Sequence, residues 1–492
     1  MTTATTPTEL DATVQAAHAA YQQARDVAPA RRADWLRAVA DTLDGAADDL
    51  VGLAGEETHL PDGRLRGELT RTTFQLRLLA DEVAAGHHLE ATIDHADPDW
   101  GMGPRPDLRR VNVPLGVVGV FGASNFPFAF SVMGGDTASA LAAGCAVVHK
   151  IHEAHARLGA RTAEFVTAAL ADAGAPEGLF AAVTGQEAAE ALVDHPLVKA
   201  VGFTGSTRVG RILADRINAR PEPIPFYGEL GSTNPVFVTG QAWSSRREEI
   251  LTGYAGSLTL GMGQFCTNPG LLFVPDLDEQ AVATLTEALG QAPRFPMLSP
   301  RLAEGFEKAV GTVAGTDGVE PVVDGGAGEA PAPTVLVTDA DEVRAHPELL
   351  EQEMFGPAGL IIRYDDEGQL AELAALLEGQ LTATVHAEDG DRTAGLVRVL
   401  TDKAGRVLWN GWPTGVTVSW AQQHGGPYPA TTAPGTTSVG TAAVLRFLRP
   451  VAYQDFPASE LPPALADDNP WHISRRVDGV WERAENPDER TA

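Results

Sequence analysis

Cysteine is nearly absent from this chain. The 492 residues hold two, Cys145 and Cys266, too few for a disulfide framework or a multi-thiolate zinc site, so no metal centre is expected. Lysine is scarce too: Lys150, Lys199, Lys308 and Lys403 are the only four among 36 basic residues. Against those 36 stand 66 acidic residues, a formal charge of −30. Such a surface repels phosphate backbones and anionic lipid, so neither nucleic acid nor membrane is an expected partner. No apolar run reaches the ~20 residues that cross a bilayer. The opening stretch MTTATTPTELDATVQAAH lacks the basic and apolar regions of a signal peptide. A soluble, cytoplasmic protein is the expectation.

What is present is the composition of a globular enzyme, 44% hydrophobic and 21% charged. The length calls for two or more domains. Residues 9–56 read as Ala-rich helices with apolar faces (Trp35, Val39, Leu43, Leu50). A second helical stretch, 65–85, carries Phe74, Leu76, Leu79 and Val83. From about Leu89 to Pro114 a Pro-, Gly- and Asp-rich pattern predicts a protruding hairpin or loop. Short apolar runs then alternate with helices: 117–121, 145–149, 179–183 and 198–203 read as strands, 135–143 and 158–173 as helices. That alternation predicts a parallel, doubly wound sheet. A second α/β unit follows Glu229, with strands near 235–238, 271–274, 334–337, 359–364 and 382–387. The polar, Pro-containing tail beyond Phe456 predicts partial disorder.

Several residues could carry chemistry. Cys145 sits in the apolar run AAGCAVV and reads as a small buried hydrophobe. Cys266, in the loop GMGQFCTNPG, can be a thiolate nucleophile or simply a packed loop residue. Glu229, in PFYGELGSTNP, has apolar and small neighbours, so burial and a raised pKa would suit it to general-base work. Asn125 lies in a tight turn after the strand VVGVF, where an amide can donate to an oxyanion or satisfy its own backbone. In FTGSTRVG, Gly205 and Ser206 stand at a strand–helix junction that suits phosphate approach, although the motif alone is weak.

Taken together, these segments resemble the aldehyde dehydrogenase superfamily over nearly the whole chain. The Asn turn, Lys150 after a strand, FTGS, Glu-Leu-Gly, Gly-Gln-x-Cys and Glu-Met-Phe-Gly-Pro (353–357) follow in the family order. FGASNFPFAFSVMGGDTASALAAGC, RPEPIP, LTLGMGQFCTNPG and HGGPYPATT are closer still to the branch of α-ketoglutarate semialdehyde dehydrogenases and NADP-linked fatty aldehyde dehydrogenases. The resemblance implies an α/β fold of two doubly wound domains plus a small β oligomerisation arm. Residues 1–89 and 114–230 would bind the dinucleotide with the helical N-terminal region. Residues 231–415 would form the catalytic domain and 416–443 a return segment near the substrate. Residues 90–113 and 444–460 would form the arm, with Pro450 interrupting its ladder, and 461–492 a polar tail.

The resemblance also implies roles. Cys266 attacks an aldehyde, Asn125 and the Cys266 N–H hold the oxyanion, and Glu229 activates the water that hydrolyses the thioester. Lys150 and Glu153 match positions at the adenosine ribose, Gly205 and Ser206 the pyrophosphate region, Glu353 and Phe355 the nicotinamide ribose and ring. The implied cofactor is NAD, with NADP use left open, and the implied assembly a homodimer or homotetramer. Two departures fall on the substrate side: Ser124 stands where many relatives have tryptophan, and Gly425–Pro429 replaces a common C-terminal signature. A CoA-acylating enzyme is the rival within enzymes, disfavoured by Glu229, and a catalytically silent relative the rival outside them.

Overall fold

The computed structural model describes residues 4–483. Four helices open the chain, Pro7–Ala24, Pro29–Gly45, Ala47–Thr58 and Asp62–Ala84. The first begins where Thr6 and Glu9 cap each other's backbone N–H groups, and the second begins on a proline. Their apolar faces, including Leu10, Trp35, Leu43, Leu76 and Leu79, pack into one core with the first sheet. Phe74 is exposed.

That sheet has five parallel strands in the order Phe180–Val183, Ala146–Lys150, Val117–Phe121, Val198–Thr204, Phe226–Glu229. Val117–Phe121 is buried at every position, which explains its continuous apolar sequence: a central parallel strand is covered on both faces. The chain runs outward from this strand to one side and then to the other. A crevice therefore opens at the carboxyl ends of the strands, where the order reverses. Lys150, Gly205 and Glu229 all stand at those ends.

The second sheet has seven strands, in the order Glu320–Val323, Thr334–Asp339, Ala358–Arg363, Leu271–Val274, Val236–Val238, Gln380–His386, Ala404–Trp409. All its pairings are parallel except that of Glu320–Val323. Two apolar clusters cover its faces.

A third sheet combines distant parts of the chain, in the order Leu448–Gln454, Leu108–Pro114, Thr92–Asp94, Arg475–Val477, Val480–Glu482. Two expectations are corrected here. Pro450 does not break the ladder: it pairs with Asn112 in unbroken register, because its strand is an edge, where a missing N–H is tolerated. The tail is not disordered up to residue 483. Leu465 and Ile473 are fully buried, and the tail supplies two strands. The rest of the tail lies outside the described residues.

Candidate active site

Cys266 follows a kinked turn in which Gly261, Met262 and Gly263 all have positive φ. Non-glycine residues rarely adopt that region, so the flanking glycines make the turn affordable. A Cβ on Gly263 would also collide with the Gly356 carbonyl. The loop is clamped from below by Asn234, whose Nδ2 donates to the carbonyls of Cys266 (2.8 Å) and Asn268 (2.9 Å). Gln380 Oε1 in turn accepts from the backbone N–H groups of Thr233 and Asn234 at 2.8 and 3.0 Å. The run GSTNP after Glu229 is thus the fixture that aims the cysteine.

Cys266 Sγ lies 3.6 Å from Nε2 of His424, and the same nitrogen lies 2.8 Å from Oε1 of Glu229. Among the described residues, these three donor atoms form the one His/Cys/acid group, within 4.8 Å, that could hold a metal ion. That cluster was not foreseen in the sequence. Glu229 ends the strand Phe226–Glu229 and is 4% exposed; its Oε2 also accepts from Ser438 Oγ. Burial raises its pKa, but His424, Ser438 and Arg446 outweigh burial and leave it below the ordinary carboxylate value. The expected upward shift is therefore corrected. The sequence neighbours of Glu229 reveal its burial but not the segment 424–446, which brings His424, Ser438 and Arg446 to it.

The thiol behaves oppositely. Burial, then the charges of Glu229 and Glu353, push the Cys266 pKa well up, with Arg406 opposing. The resting group is a thiol that needs a base, not a standing thiolate. Cys145 is fully buried, donates to the Phe447 carbonyl at 3.4 Å and is pushed up to about 11 by burial.

Asn125 is brought to the same place. Its Nδ2 donates to the Gln264 carbonyl at 3.0 Å, two residues before the cysteine; the second amide hydrogen is left for another acceptor. The turn is held by buried Glu68, whose Oε1 accepts from the N–H groups of Phe128 and Ala129, both at 2.9 Å. Arg64 links Glu68 to the Asn125 carbonyl, each at 3.4 Å, and lies over the rings of Phe126 and Phe265.

The remaining candidates line the crevice. Lys150 Nζ is 3.6 Å from Glu153 Oε1, and the Glu153 side chain is 74% exposed. Gly205 donates its N–H to the Glu229 carbonyl at 3.0 Å, and a Cβ there would lie 2.7 Å from the Phe203 ring. Ser206 caps the helix Thr207–Asn218. Glu353 and Phe355 line a small hollow with Ser232, Thr233, Phe265 and Asn268. Burial raises Glu353 to about 8, eased by a backbone hydrogen bond at Ser232. Its Oε2 sits 2.8 Å from where Gly231 would carry a Cβ. A lysine at a strand end, a glycine junction opening a helix and a carboxylate beside a glycine wall fit a dinucleotide.

Comparison with known proteins agrees with this geometry. The Aldehyde dehydrogenase family model matches residues 1–428. The chain is 48% identical over 463 residues to Alpha-ketoglutaric semialdehyde dehydrogenase 2 of Azospirillum brasilense, covering 92% of this chain and 87% of that one. It is 40% identical over 480 residues to the Alpha-ketoglutaric semialdehyde dehydrogenase of Acinetobacter baylyi, covering 96% and 91%. Its fold matches the crystal structure of glyceraldehyde-3-phosphate dehydrogenase from Methanocaldococcus jannaschii complexed with NADP. That match has a TM-score of 0.78 at 19% identity, over 92% of this chain and 95% of the other.

Proposed function

The chain belongs to the aldehyde dehydrogenase family, and on that premise we propose that it oxidises α-ketoglutarate semialdehyde to the dicarboxylic acid through a thioester on Cys266. Oxidation of an aldehyde with NAD or NADP is the family's reaction. The semialdehyde is the substrate named for the two relatives, which match over nine-tenths of this chain. The observation that carries the mechanism is one imidazole nitrogen set between a thiol and a carboxylate.

A thiol with a raised pKa must lose its proton as it attacks. Nε2 of His424, 2.8 Å from Glu229, carries its hydrogen towards that carboxylate and keeps it ionised, so Glu229, within 4.8 Å of the thiol, is the base placed to take that proton. The oxyanion of the thiohemiacetal then faces the free hydrogen of the Asn125 amide and the Cys266 N–H. A dinucleotide, when bound, supplies the acceptor for the hydride that leaves the substrate carbon. Lys150, Gly205, Ser206, Glu353 and Phe355 are the residues that would hold it. Glu229, kept ionised by His424 and Ser438, accepts a proton from the water that attacks the thioester. A water-activating carboxylate at this place favours hydrolysis over transfer to CoA.

The same reading includes NAD as the preferred cofactor, because the Glu153 carboxylate occupies the lysine that a 2′-phosphate would need. It includes a homo-oligomer built through the third sheet. Among the described residues no helix is long and apolar enough to cross a membrane, and two unbridged thiols suit the reducing cytoplasm. The test is a panel of aldehydes scored by kcat/KM without CoA, spanning ω-carboxylated, aliphatic and aromatic members. The carboxylated five-carbon semialdehyde is expected to lead, with the acid released. Preference for uncharged aldehydes would sink the substrate reading, and an absolute need for CoA would sink hydrolysis.

A further inference from the structure

Four arginines surround the Cys266 site, and three are already engaged. Arg64 pairs with Glu68 at 3.4 Å. Arg406 donates to the carbonyls of Pro413 (2.6 Å) and Gly415 (3.1 Å). Buried Arg446 pairs with Asp136. Arg71 differs. It rises from the helix Asp62–Ala84 two turns beyond Arg64, and its Nε donates to the Val416 carbonyl at 3.1 Å. Its two terminal nitrogens, Nη1 and Nη2, are both buried and have no hydrogen-bond partner among the described residues.

The position of this fork is defined by its neighbours. Its guanidinium carbon stands 5.5 Å from the centre of the Phe130 ring, and that ring is 6.1 Å from the His424 ring. Arg71 is also close enough to Cys266 and Glu229 for its charge to act on both. From Cys266 towards Arg71 runs a row of rings: Phe265, next to the nucleophile, then Phe126 at 5.2 Å, then Phe130 at a further 5.3 Å. The site therefore has a reactive thiol, an apolar wall suited to methylene groups, and a cation with two parallel donors.

We propose that Arg71 is the residue that selects the substrate, its Nη1 and Nη2 receiving in bidentate fashion the carboxylate at the end of the aldehyde remote from Cys266. Two parallel N–H groups match the two oxygens of a carboxylate. A buried cation without hydrogen-bond partners is costly, and a substrate carboxylate satisfies it while an alkyl end leaves it bare. Burial also lowers the Arg71 pKa, opposed by Glu68, Cys266 and Glu229, the signature of a cation short of solvent. The inference rests on the semialdehyde reading above and goes further, by naming the group that enforces it.

The experiment compares kcat/KM for α-ketoglutarate semialdehyde and for pentanal, its uncharged five-carbon counterpart, in wild type, Arg71→Gln and Arg71→Lys. The measured quantity is the ratio of the two. We expect Arg71→Gln to lower it on the order of 100-fold, and Arg71→Lys, which keeps the charge but not the fork, to fall between. If wild type shows no preference for the carboxylated aldehyde, the substrate reading fails. If wild type shows the preference and both variants retain it, that reading stands and the Arg71 assignment is overturned. Equal loss of both activities, leaving the ratio unchanged, likewise overturns it, because a structural role, or a charge acting only on Cys266 and Glu229, affects both aldehydes alike. Should Arg71→Gln fail to fold, the ratio in Arg71→Lys decides in the same way.

Discussion

Two opposed shifts meet at one imidazole. Glu229 is pulled below its ordinary pKa by His424 and Ser438, while the neighbouring Cys266 thiol is pushed up by burial and by that same carboxylate. A base that is ionised at neutral pH thus faces a nucleophile that is not, and His424 stands between them. Replacing Glu229 by Gln keeps the shape and removes the base. Steady-state acid release should then fall by at least ~100-fold, while Cys266 accumulates as its acyl thioester. Rapid quench and mass spectrometry read both, and unimpaired turnover would remove Glu229 from the mechanism. Of these groups, Cys266, Glu229 and Asn125 stand out in the sequence as candidates in local motifs of turn and strand residues, and only the family resemblance gives them roles. His424 does not stand out: HGGPYP gives no local sign of its role, and its partners are 158 residues away and more. Arg71 was hidden for a related reason. It occupies a polar position on an otherwise amphipathic helix, where arginine ordinarily means a solvated face.

The elements tell a parallel story. Strands buried on both faces, such as Val117–Phe121 and Leu271–Val274, announce themselves as apolar runs. Phe226–Glu229, Ala404–Trp409 and Glu320–Val323 do not. They lie at the sheet edges, where half-exposure admits Gly, Glu and Arg and the apolar signal vanishes. Arg475–Val477 and Val480–Glu482 are shorter still: they pair with each other, and only Thr92–Asp94, hundreds of residues earlier, joins them to a sheet. One element carries the proposed cofactor preference. The strand Ala146–Lys150 ends in a short turn, Glu153–His155, that brings the Glu153 carboxylate to 3.6 Å from Lys150 Nζ. A 2′-phosphate brought to the same lysine would meet that carboxylate. Two charges ~4 Å apart at an effective dielectric near 20 repel by roughly 4 kcal/mol before screening. Glu153 is largely exposed, which discounts the figure heavily but keeps its sign. Wild type should therefore have the higher kcat/KM with NAD, and Glu153→Thr should shift towards NADP. A wild type that already prefers NADP would refute this.

At the scale of the whole molecule, the third sheet stands apart from the two cores, with a small apolar cluster of its own built from Leu89, Ile93, Val111 and Leu465. Its edge strand Leu448–Gln454 alternates half-buried and exposed residues and leaves one side of its backbone unpaired, a template for a neighbouring copy. In solution the chain should behave as a dimer or tetramer by light scattering. Placing like charges on the exposed positions, Ala452→Arg with Gln454→Arg, should shift it towards monomer. A wild type that is monomeric at micromolar concentration would end this reading.

The pairing of that sheet also has a consequence in time. Thr92–Asp94 finds one neighbour nearby, in Leu108–Pro114, and the other only in Arg475–Val477. His95 is likewise tied to Asp478, 383 residues along. A ribosome making this chain releases the strands of the first sheet, and then those of the second, before Leu448–Gln454 and the last strands of the third emerge. The edge strand through which two copies would join is thus made only after the strands of both α/β sheets. A half-made chain lacks the edge strand Leu448–Gln454, so any pairing of copies through it has to wait until that strand is made.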